Sequence, residues 1–261
     1  MTDAELPHKA RIERRIEELI QDFDQYLTHY DKCFPFKKPG QLQSHVDTIH
    51  LRRELGSAFC AATDREFCNS LYRTLREWGI GTRGSHPVSC EAFADALAAC
   101  ASEIAKLDGL TIDDPALDVP MVAGEVWRLI ESLGIVTNDS KIVSGTKTMH
   151  HLLPDLVVPV DRTYTQVFFG FQNSDLQYGA KSKFPKMFDV FARIARRAGV
   201  NRYVGTGEPW RTSRTKVIDN ALVDYVESNL KRSSSLCRDA TIPDHREAPC
   251  TKVAGETIGI P

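Results

Sequence analysis

The chain has 261 residues, 42% of them hydrophobic and 26% charged, and a net charge of −2. That balance belongs to a globular protein with a sizeable core, and no apolar run approaches the roughly 18 residues that cross a bilayer. The polar start "MTDAELPHKARIERR" carries no secretory pattern, so a cytoplasmic monomer off the membrane is expected. Seven widely spaced cysteines without a C-x-x-C pair read as buried or surface thiols and speak against a zinc or iron–sulfur site. No metal and no cofactor is expected.

Apolar residues at three- and four-residue steps dominate. Ile12, Ile16, Leu19, Ile20, Phe23, Leu27 and Tyr30 form one long helical face. "FKKPG" at 36–40 breaks the chain, and a second amphipathic stretch runs from Gln41 to Cys60. A third, from Asp64 to Trp78, ends at Gly79, as helices tend to. The loop "GIGTRGSHPVS" (79–89) follows, and Ser89 caps an Ala-rich helix to Leu107. After the loop at 108–120, further helices are expected at 120–133, 145–153, 162–169, 184–198 and 212–230. "LVVPV" (156–160) is the one short strand candidate. From 231 to 261 the periodicity ends in a Ser-, Pro- and charge-rich stretch, expected to be a flexible or extended tail. The expected fold is all-α, with about nine helices in one domain over residues 1–230.

Two features point beyond core packing. Between Lys181 and Lys216, ten Lys or Arg residues face only Asp189 and Glu208. Such a run is either a solvated helix face or a phosphate-facing surface. The segment "SGTKTMHHLLPDLVVPVDRTYT" (144–165) puts a Gly-bearing turn at an expected helix start, where free N–H groups and the helix dipole favour a phosphate. Lys147 stands in that first turn, where the dipole disfavours a cation. Asp161 ends an apolar segment, so its carboxylate needs a partner: Lys147, Arg162, a helix N-terminus or a substrate cation.

"VSGTKT…VPVDRTYT" (143–165) resembles the helix-hairpin-helix DNA glycosylases. In that superfamily a hairpin grips a DNA phosphate, a lysine is the Schiff-base nucleophile where present, and an aspartate is the catalytic carboxylate. The resemblance implies two helical halves flanking a cleft, with hairpin and active site at about 138–165. Ser144, Gly145 and Thr146 would fall on the hairpin, Lys147 on the nucleophile and Asp161 on the acid. Val143 occupies the first hairpin glycine, Met149 stands where alanine is usual, and the Lys-to-Asp interval is about one helical turn shorter. "LYRTLREWGIGTRGS" (71–85) with "MHHLLPDLVVPVDRTYT" (149–165) is also similar to bacterial proteins of unassigned function. That likeness groups Trp78, Arg83, His150 and His151 in one site.

The expected activity is excision of a damaged or modified base from DNA, with possible lyase activity through Lys147 and a role in repair or antiviral defence. Arg83, Arg162, Arg214 and Lys216 would contact DNA, and Trp78, His150, His151 and Tyr164 would line the base pocket. Each has a plainer alternative: a loop arginine, a packed aromatic, a core histidine. A non-catalytic DNA- or RNA-binding module is the competing function.

Overall fold

The computed structural model describes residues 6–33, 36, 38–82, 84–138 and 141–231. The expected tail lies outside these residues, as does Arg83. Among the described residues the fold is all-α, with twelve α-helices and no strand. In chain order they are α1 (His8–Gln21), α2 (Phe23–Cys33), α3 (Pro39–Glu54), α4 (Ala58–Thr63), α5 (Arg65–Glu77) and α6 (Cys90–Ala105). The second half holds α7 (Val119–Leu133), α8 (Lys141–Leu152), α9 (Thr165–Phe169), α10 (Asn173–Gln177), α11 (Ala180–Ala198) and α12 (Arg214–Tyr225). No helix among the described residues is long and apolar enough to cross a membrane.

Short polar side chains start many of the helices. Ser57, Asp64, Ser89, Asp118 and Ser213 each accept a hydrogen bond from the backbone N–H three residues on. Such caps are worth about 1 kcal/mol each. At Gly199 the chain leaves α11 with φ 60°, a left-handed step that a side chain would oppose.

The count exceeds nine because local breaks divide two expected stretches and because α10 forms where no helix was expected. The N-terminal face is continuous in pattern but divides at Asp22, and residues 41–60 divide between α3 and α4. Helix α11 begins one turn ahead of Phe184, so Pro185 lies inside it rather than at its start. Of the strand candidate 156–160, Leu156 lies in a turn and 157–160 form no regular element; Leu156, Val157, Val158 and Val160 are buried as a core-lining segment.

The first and last described helices lie together. Helix α12 packs on α2, and α1 on α11. Arg193 and Arg197 of α11 bond Glu13 and Glu17 of α1. Arg211 pairs with Asp31, Lys183 with Asp175, and Arg214 with Asp113 and Asp155. The basic run is therefore largely neutralised by acids distant in sequence, which corrects its reading as a phosphate-facing surface.

Helix α8 packs closely on α7 through Gly145. A Cβ there would lie 2.4 Å from Ile130 Cγ2 and 2.9 Å from Cγ1. Ile130 is buried and β-branched, so it has little room to turn away. Gly145→Ala in a helix ordinarily gains about 1 kcal/mol; here we expect a net loss of about 1–3 kcal/mol from overpacking. Urea unfolding measures it, and a variant more stable than wild type would show that α7 and α8 separate freely at this point.

Candidate active site

The expected phosphate-gripping hairpin is replaced by helix. Ser144, Gly145 and Thr146 lie within α8 and are buried, so their amides are not presented to a strand of nucleic acid. A pattern of Ser, Gly and Thr suits a turn, but here small residues let α8 approach α7. Thr146 has a different task. Its Oγ1 donates to Ile142 O at 2.7 Å and accepts from Val160 N at 3.1 Å. The chain thus runs back along α8 after Pro154, and Thr146 holds the segment that ends in Asp161.

Other contacts fix this return. His150 Nδ1 bonds Val157 O at 3.1 Å, and Arg52 Nε donates to Leu152 O at 2.8 Å at the C-terminal end of α8. Asp161 Oδ1 accepts from Tyr164 N at 2.6 Å and Thr165 N at 3.4 Å, while Asp161 N donates to Thr165 Oγ1 at 3.2 Å. The carboxylate therefore caps the turn that leads into α9. At the far end of α9, Arg15 of α1 donates to Val167 O at 2.9 Å and to Phe168 O at 2.5 Å. That cation suits the negative end of the helix.

Lys147 and Asp161 come to one pocket of about 730 Å³. Its walls also carry Trp78, Phe36, Tyr30, Tyr164, Arg162 and Lys216. Lys147 Nζ donates to Trp78 O at 3.2 Å and lies 5.5 Å from the centre of the Trp78 ring. The indole N–H donates to Gln41 O at 3.2 Å, which holds the ring in the wall. Burial, followed by Glu227, pushes the Tyr164 phenol above its ordinary range, so it remains a neutral wall residue.

His150 and His151 do not line this pocket. Both are fully buried, a correction to their placement around the base. His151 Nε2 bonds His45 Nδ1 at 3.0 Å, and His45 Nε2 bonds Thr212 Oγ1 at 2.9 Å. His45 stacks on His150 with 14° between ring planes, and Trp78 lies against both. Burial lowers all three imidazoles, His151 to about 4, so they are neutral near pH 7. The cluster backs the indole wall. Among the described residues, no group of three or more His, Cys, Asp or Glu is set to hold a metal ion.

Two further residues expected at the DNA are held by acids. Arg214 is bound by Asp113 and Asp155 and lies outside the pocket wall. Lys216 is buried rather than on a surface, and its Nζ pairs with Asp219 Oδ2 at 2.5 Å. Arg162 and Trp78 do line the pocket. Sequence reasoning missed Tyr30, Phe36, His45 and Asp219. The three-residue step from Lys216 to Asp219 was a readable helical pair; the others needed the tertiary contacts.

The fold and site thus define an all-α protein whose pocket joins a lysine, an aspartate and several aromatic rings. No known family model, curated protein or solved structure matches this chain.

Proposed function

We propose that the chain is a DNA N-glycosylase that receives a damaged or modified base from DNA. The single observation behind this is that Lys147 and Asp161 share a roomy pocket with the rings of Phe36, Trp78 and Tyr164. Aromatic faces stack a base whatever its sequence context, and a base must leave the duplex to be reached. The pocket then stands for the cleft that the glycosylase resemblance places between two helical halves.

As the N-glycosidic bond breaks, the base departs with the bonding electrons and takes up a proton. Positive charge grows on the sugar, and a nearby Asp161 carboxylate stabilises it. Water then adds to C1′, passing a proton to Asp161 and onward to solvent. Attack by Lys147 instead would need a neutral amine. Lys216 is a poor nucleophile: burial opposes its charge, but Asp219, Tyr30 and Asp161 outweigh that and push its pKa up.

One observation favours a non-catalytic nucleic-acid-binding module: Asp161 already has a structural task in capping residues 164 and 165. Base release from a panel of alkylated, oxidised and phage-type modified duplexes decides between the two. Release of a free base from at least one duplex is expected, and borohydride trapping on abasic DNA reports whether Lys147 forms an imine. Salt-sensitive DNA binding without any base release would overturn the enzyme in favour of the module.

A further inference from the structure

In the pocket wall lies a charge pair that bond cleavage by Asp161 does not use. Lys216 and Asp219 stand three residues apart on the first turns of α12, with side-chain exposures of 5% and 14%. Lys216 Nζ lies 4.9 Å from the Phe36 ring centre and 5.7 Å from that of Trp78. Packing alone gives little reason for such a pair, because apolar replacements of similar size are often neutral or stabilising. Its hydrogen bonding is also incomplete. Among the described residues the Asp219 carboxylate bonds only through Oδ2, and the Lys216 ammonium bonds only to that oxygen. Oδ1 and two ammonium hydrogens remain for a ligand.

We propose that Lys216 and Asp219 read the hydrogen-bonding edge of the bound base, Lys216 Nζ donating to a ring nitrogen or carbonyl oxygen while Asp219 Oδ1 accepts the adjacent N–H. This rests on the reading of the cavity as a base pocket. Phe36, Trp78, Lys216 and Asp219 line the same pocket, so a base held there beside the two rings lies within reach of the pair. The ligand class is a nucleobase with an acceptor beside an N–H on one edge. A base alkylated at that N–H loses the donor and meets the carboxylate with a methyl group, leaving a buried acceptor unmatched.

The test is calorimetric titration of the full chain with 2′-deoxyguanosine and 2′-deoxyuridine, each beside its N1- or N3-methylated counterpart. At least one parent nucleoside is expected to bind at least about tenfold more tightly than its methylated form, or about 1.4 kcal/mol. The double variant Lys216→Met with Asp219→Leu leaves no orphan charge and no side-chain acceptor or donor for the edge, and a thermal melt verifies its fold. In it the two forms are expected to bind within about twofold of each other, as direct edge contacts require. Equal binding of both forms by wild type, or a ratio retained in the double variant, overturns edge reading. If wild type still releases base from DNA, the glycosylase proposal survives that result. Binding of no parent nucleoside also overturns edge reading, and absence of base release besides removes the proposal it rests on.

Discussion

Asp161→Asn is expected to lower the rate constant for base release by about a hundred- to ten-thousand-fold while leaving DNA affinity within about twofold. The asparagine retains a side-chain oxygen for Tyr164 N and Thr165 N, which Asp161 Oδ1 now accepts at 2.6 and 3.4 Å. The turn into α9 therefore keeps its cap, and only the negative charge is lost. Charge matters once the sugar turns cationic, so kcat falls and KM holds. Asp161→Ala is a poorer test, because it also removes a cap worth about 1 kcal/mol. Single-turnover assays on the best duplex from the panel measure the effect. If Asp161→Asn releases base as fast as wild type, the carboxylate is a structural cap and the proposed chemistry fails.

Stability is expected to fall steeply as pH drops from about 6.5 toward 4. His45, His150 and His151 are buried together, and burial is the main cause that lowers each pKa; nearby Lys216 adds to it. An unfolded chain takes up these protons near pH 6.5, whereas the folded His151 does so only at about 4. Below 6.5 the unfolded state binds more protons, so acid favours unfolding; above 6.5 both states are neutral and the full stability is present. His151 alone accounts for about 3 kcal/mol by pH 4. His45 and His150 shift in the same direction and add to the loss. Glu13, Glu17 and Glu103, held low first by their arginine or lysine hydrogen bonds, also destabilise on acidification. They do so only below their ordinary 4.5; Asp219, raised first by burial, works against the histidines' loss, so the slope over pH 5–6.5 is the histidines' less this gain. Urea unfolding at pH 7.5, 6.5, 5.5 and 5 measures the slope. A stability unchanged over that interval would mean that the imidazoles take up protons inside the fold.

Helical class was legible because burial leaves its mark at every turn: Ile12, Ile16 and Leu19 repeat at the helix period. Ser89 likewise announced a helix start, since a cap is a contact between residues three apart. Breaks were harder. Asp22 interrupts one continuous apolar face without a proline or glycine to signal it. The segment 144–146 misled for a related reason. Small polar residues serve a turn, a phosphate grip or a close helix crossing, and only Ile130, which approaches from α7, distinguishes the last.

What the sequence by itself determined was local: an all-helical chain, the Ser89 cap, and the presence of a lysine and an aspartate on either side of a short apolar run. The tertiary structure decided which charges meet. Arg193, Arg197 and Arg211 find acids about 180 residues away, so a run that is basic in sequence is largely neutral in space. It also decided that Lys147 and Asp161 face one pocket while His150 and His151 turn into the core. Periodicity records which face of an element is buried. It does not record what that face is buried against, because a partner's identity lies in the other element's residues.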